Sequence, residues 1–186
     1  QLGQGYFEAL RGDAAGALSS FEACIASSEP SRFHDIWVRG SAGALAMLLE
    51  LGRVQEARAH GERVLAQCEA LQITIAAQPV QCQMALAEAM SGDGPRARAR
   101  VEMVIADQVA RGVTGLALGA SYEARARIAL VLGDEAAAAR DTALAARASG
   151  QKQVSIQPGR PLQAARSARP SDAHPSATSS ATNKCG

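Results

Sequence analysis

A glycine followed five residues later by an alanine occurs four times in this chain: Gly12 with Ala17, Gly52 with Ala57, Gly92 with Ala97 and Gly133 with Ala138. The glycines are spaced 40, 40 and 41 residues apart. A period of this size marks a repeat architecture. Each unit is a helix pair that cannot bury its apolar face alone and therefore stacks on its neighbours. The expected fold class is all-α, a solenoid of about four helix-turn-helix repeats.

The residues around each glycine explain why the turn recurs. A helix ends most cheaply on a glycine in the left-handed conformation, and the next begins most cheaply on a side chain that accepts a backbone N–H. Gly12-Asp13, Gly92-Asp93 and Gly133-Asp134 place both devices side by side. The aspartate also sits favourably at the positive end of the new helix, and Pro95 falls in a first turn, where its missing N–H costs nothing. The alanine five residues on lies one turn inside the second helix, where a small residue lets two backbones approach.

Apolar periodicity places helices at about 2–10, 14–28, 32–51, 53–71, 75–91, 94–111, 115–132 and 134–149. The 14–28 segment shows the pattern plainly, with Ala17, Leu18, Phe21, Cys24 and Ile25 on one stripe. Gly40 and Gly43 weaken their helix and predict close approach of a neighbour. Ile73-Thr74-Ile75 has strand character, and Pro79 predicts an irregular start to the fifth helix. Arg96, Arg98 and Arg100 read as largely outward-facing, and His60 as solvated near Glu56. After Gly150 the pattern stops, and four prolines among many Ser, Thr and Ala residues predict a disordered tail over 150–186.

Composition excludes several function classes. Hydrophobic residues make up 47% and aromatics 3%, a diet that suits close-packed helices better than sheets. No apolar run is long enough to span a membrane, and no secretory signal is visible. Residues 1–149 carry a net charge of −3 and residues 150–186 one of +4, so the repeats lack the clustered basic excess of a nucleic-acid footprint. Cys24, Cys68, Cys82 and Cys185 show no CxxC spacing and read as reduced apolar fillers, which predicts a cytoplasmic protein. The chain starts at Gln1 within a first helix, and we expect it to be a piece of something longer.

No phosphate-binding loop, dinucleotide fingerprint or kinase signature is present. His34, His60 and His174 are scattered, without metal-ligand spacing. The expectation is therefore no catalytic, cofactor-binding or metal site. What remains is a surface. In stacked helix pairs the first helix of each unit lines a concave groove, and its partner contacts are expected at Arg39, Ala42, Ala46 and Glu50, at Cys82, Leu86 and Met90, and at Glu123, Arg127 and Val131. This mixture of apolar residues with both signs of charge suits a protein or peptide partner.

The turn glycine, the acidic or polar residue beside it, the alanine at plus five and the large residue at plus nine in Phe21 together resemble the tetratricopeptide repeat. The ninth position elsewhere is Gly61, Val101 and Thr142. The small residue expected seven before the glycine is Gly5, Ala85 and Ala126, but Leu45 in the second unit. Pro30 loosely matches the closing proline, and the period exceeds the roughly 34 residues of the standard repeat. HEAT-like pairs are the competing architecture. The resemblance, over residues 1–149, implies a right-handed α-solenoid without catalysis of its own. It resembles the helical arrays of large bacterial signalling proteins such as serine/threonine kinases and ATPase-type transcription regulators. The implied role is a protein-binding or regulatory scaffold; the alternatives are a small-molecule-sensing arm of a transcription regulator and an all-helical enzyme.

Overall fold

Four turns of one design divide the chain into helix pairs. Gly12, Gly52, Gly92 and Gly133 all adopt positive φ, between +72° and +87°. In each turn the N–H of the following residue reaches back to a carbonyl five residues earlier: Asp13 to Glu8, Arg53 to Leu48, Asp93 to Glu88 and Asp134 to Ala129, at 2.8–3.0 Å. These bonds satisfy carbonyls that the ending helix leaves unpaired. The aspartates do the same for the starting helix, since Asp13, Asp93 and Asp134 accept the N–H groups of Gly16, Arg96 and Ala137. Arg53 occupies that place in the second unit and makes no such cap.

A computed structural model describes residues 1–28, 30 and 32–150 of the chain. The described residues form eight α-helices and no strand: α1 Leu2–Leu10, α2 Ala14–Ala26, α3 His34–Glu50, α4 Val54–Ala70, α5 Gln78–Met90, α6 Gly94–Ala110, α7 Leu116–Val131 and α8 Glu135–Ala148. The expected disordered tail, beyond Gly150, lies outside the described residues. Ile73-Thr74-Ile75 is not a strand but part of the α4–α5 connection. The fifth helix begins at Gln78 rather than at 75, with Pro79 in its first turn, where no N–H is required. The connections between units reuse the same closure, with Ile73 N–H bonded to the Cys68 carbonyl and Val113 N–H to that of Gln108. Gly112 supplies the left-handed residue in one; in the other Gln72 takes φ +56° without being glycine.

Consecutive helices pack against each other, and the odd-numbered helices also pack side by side, α1 on α3, α3 on α5 and α5 on α7. The core runs between the two rows. The alanines five residues past each turn glycine, Ala17, Ala57, Ala97 and Ala138, are all buried. Large side chains interlock with glycines across the helix contacts. The ring of Phe21 lies between Gly5 and Gly43, where an added Cβ would fall 2.7 Å from it on either side. Met84 and Leu45 likewise fill the space over Gly61. Gly43 is thus the close-approach position that its place in a helix predicts.

Candidate interaction groove

Counting from each turn glycine, position −4 on the first helix faces position +8 on the second. This register carries a different polar device in each unit. In the first, Ser20 donates to Glu8 at 2.7 Å. In the third, Glu88 is 2% exposed and receives two bonds from Arg100, at 3.0 and 2.7 Å, while Arg96 approaches it at 2.9 Å and Arg100 also donates to Gln81. Arg100 is therefore not an outward-facing residue: a buried carboxylate holds it inside. In the fourth unit Asp141, at +8, turns instead to Arg125, which grips it at 2.9 and 2.7 Å and also reaches Glu102 of the preceding unit at 2.8 Å.

The second unit has no such pair. His60 meets Leu48 across a crevice that both line, and its Nε2 makes no hydrogen bond. Burial, reinforced by the Arg63 charge, holds its imidazole below the usual histidine pKa. It is half-buried rather than solvated.

A further regularity escaped the sequence reading. Glu22, Glu62 and Glu102 all stand at position +10, and each lines a crevice with arginines of the following unit: Arg53 and Arg63, Arg96 and Arg100, and Arg125 and Arg140. The recurrence was visible in the same alignment that revealed the turn glycines. Its meaning was not, because opposite charges in separate units acquire a relation only when the units stack.

On the side formed by the odd-numbered helices lies a groove of about 540 Å³. It crosses the N-terminal halves of α3, α5 and α7, with Tyr6 of α1 at one end and Leu116 of α7 at the other. Arg39 and Ala42 line it, as does Cys82. Arg39 is drawn to Asp35 at 3.8 Å, and the buried Cys82 thiol approaches the Ser121 hydroxyl at 3.8 Å. Burial raises the pKa of that thiol, and the Ser121 hydrogen bond works against the rise, so at neutral pH it is a lining group rather than a nucleophile.

The other expected contacts do not line this groove. Glu50 and Arg127 bond each other at 2.5 Å, from α3 to α7, and so are engaged within the molecule. Leu86 is buried in the core and unavailable to a partner, because α5 is flanked by α3 and α7 and its C-terminal half is almost wholly enclosed. Ala46 is half-buried, while Met90, Glu123 and Val131 are exposed outside the groove.

Four groove residues went unrecognised in the sequence. Ile75 and Leu116 are large, exposed and apolar. Gln83 and Gln108 each carry a buried amide oxygen without a hydrogen-bond partner. Gln108 is only 4% exposed, and its amide nitrogen donates to Gln78 at 3.0 Å, which fixes the orientation of the oxygen. Buried acceptors of this kind are costly unless a donor reaches them. No periodicity argument could find them, since glutamines at helix positions are ordinarily surface residues.

No family model, curated protein or solved structure matches this chain. Among the described residues no group of three or more His, Cys, Asp or Glu side chains could hold a metal, and no helix is long and apolar enough to cross a membrane.

Proposed function

We propose that the chain is a tetratricopeptide-like, right-handed α-solenoid acting as a non-catalytic protein-binding or regulatory scaffold, and that it holds an extended peptide in the groove between Tyr6 and Leu116. The carrying observation is the pair of unpartnered amide oxygens on Gln83 and Gln108, set in a groove flanked by exposed Ile75 and Leu116. An extended peptide offers backbone N–H donors for the first and alternate apolar side chains for the second. The side-by-side packing of odd-numbered helices and the repeated turn support the solenoid reading. The resemblance to arrays in bacterial signalling proteins adds that such a scaffold serves a kinase or transcription regulator.

The test is selection of peptides from a random displayed library on the full chain, followed by fluorescence anisotropy against variants. Leu116→Glu should abolish binding and Gln108→Leu should weaken it about tenfold, the loss expected for one hydrogen bond in a dry site. Selected peptides that bind both variants as tightly as the parent chain would place recognition elsewhere and sink the proposal.

A further inference from the structure

The two ends of the helix array expose residues that its interior buries. Leu49 and Leu130 are the same residue type at the same position, three before the turn glycine, and each has its own partner helix. Leu49 is 3% exposed and Leu130 is 60% exposed. What covers Leu49 is the next unit, whose α5 packs on α3; among the described residues nothing follows α7 and α8 in that way. Thr142 of α8 is exposed too, at the place where Phe21, Gly61 and Val101 are buried. At the other end Phe7 of α1 is 59% exposed, whereas Ala87 and Ile128, at the same register, are at 0% and 1%.

We infer that these ends are halves of one interface, and that a second copy of this chain stacks head to tail, its α1 seated on the α7–α8 face as α3 is seated on α1 and α2. The inference is independent of the groove. Three observations commit it to a second copy. The contact continues the interface already repeated inside the molecule. The sizes match: inside, Phe21 of one unit fits over Gly43 of the next, and Met84 fits over Gly61. At the ends Phe7 is the large member, and Thr142, Ala145 and Ala146 of α8 are the small ones.

The charges match as well. Each inner seam sets a glutamate at +10 against arginines of the following unit, as in Glu102 with Arg125. The fourth unit has Ala143 at +10. The first unit has Gln4, Asp13, Gly16 and Ser20 where later units place Arg125, Arg53, Arg96 and Arg100. The glutamate and its arginines are therefore missing together, and stacking the two ends buries no unpaired member of the seam. Because the two faces differ, the contact is heterologous and propagates into open chains rather than closing as a dimer.

Sedimentation velocity on the full chain tests this. The parent should show a mass that rises with concentration past the dimer. Phe7→Glu and Leu130→Glu each remove one face at an exposed position and should each sediment as monomers, with unchanged helical circular dichroism. An equimolar mixture of the two variants should return to a limited dimer, since the intact α7–α8 face of one meets the intact α1 of the other. A parent that stays monomeric at all concentrations overturns the inference. So does either single variant that still associates, or a mixture that fails to dimerise.

Discussion

The second and third helix pairs are built on the same turn and the same register, yet they close differently. In α5–α6 the −4 and +8 positions hold Glu88 and Arg100, a buried pair with geometry good enough to satisfy both partners. In α3–α4 they hold Leu48 and His60, and the imidazole keeps an unpartnered nitrogen beside a crevice. The third pair also caps its second helix with Asp93, where the second has Arg53, tied at 2.7 Å to Glu56 instead. The turn sets which residues face each other; it does not set what chemistry they use. Repeats can therefore keep one backbone while each unit carries a distinct pair, and only the pairing, not the individual residue, must be compatible.

The largest effect should come from breaking the pair in α5–α6. Arg100→Met leaves the Glu88 carboxylate buried with Arg96 alone, and urea unfolding should show a loss of about 3 kcal/mol, the low end for an orphaned buried charge. The double change Glu88→Leu with Arg100→Met should recover most of it. If the single and double variants are equally unstable, the pair is not what matters at this register.

The α3–α4 pair should instead reveal itself through pH. The His60 pKa lies below that of the unfolded chain, so as pH falls the unfolded state takes up the proton first. The contribution of His60 is complete above about pH 6.5 and is lost as pH falls through its folded value. Melting temperature should drop on acidification across that window, and His60→Leu should flatten this part of the profile while packing against Leu48. An unchanged slope in the variant would assign the pH dependence to other groups.

The difference in caps is smaller. Arg53→Asp should give the second unit the cap that Asp93 gives the third, stabilising it by about 0.5–1 kcal/mol. The Arg53–Glu56 pair that is lost is exposed and worth little. The smallest effect is expected at Gln72, the left-handed residue that is not glycine. Gln72→Gly should raise stability by about 0.5 kcal/mol, relief of backbone strain being partly offset by the freer unfolded chain. A loss on chemical denaturation would show that the side chain contributes more than its backbone costs.

Much of the helical layout was legible because its signals are local. A glycine, an aspartate and an alanine at fixed spacing act within one turn, and the stripe Ala17, Leu18, Phe21 and Cys24 declares a buried face without reference to any other helix. The groove was legible only in part. Arg39, Ala42 and Cys82 line it as the register of first helices suggests, whereas Leu86 is enclosed and Glu50 is spent on Arg127, 77 residues away. The expected contacts assume that every unit presents its first helix equally. That fails where α3 and α7 crowd the C-terminal half of α5.

By itself, then, the amino-acid order determined where helices start and stop, which faces are apolar and that the units repeat, because capping, propensity and periodicity act over a few residues. Only tertiary structure decided that Arg100 turns inward to Glu88, that His60 is left without a partner, that Gln83 and Gln108 open onto a groove, and that Leu130 is bare where Leu49 is covered. Each of these depends on a side chain from another helix. The energy of a polar or apolar group is set by whether such a neighbour excludes water and supplies a partner.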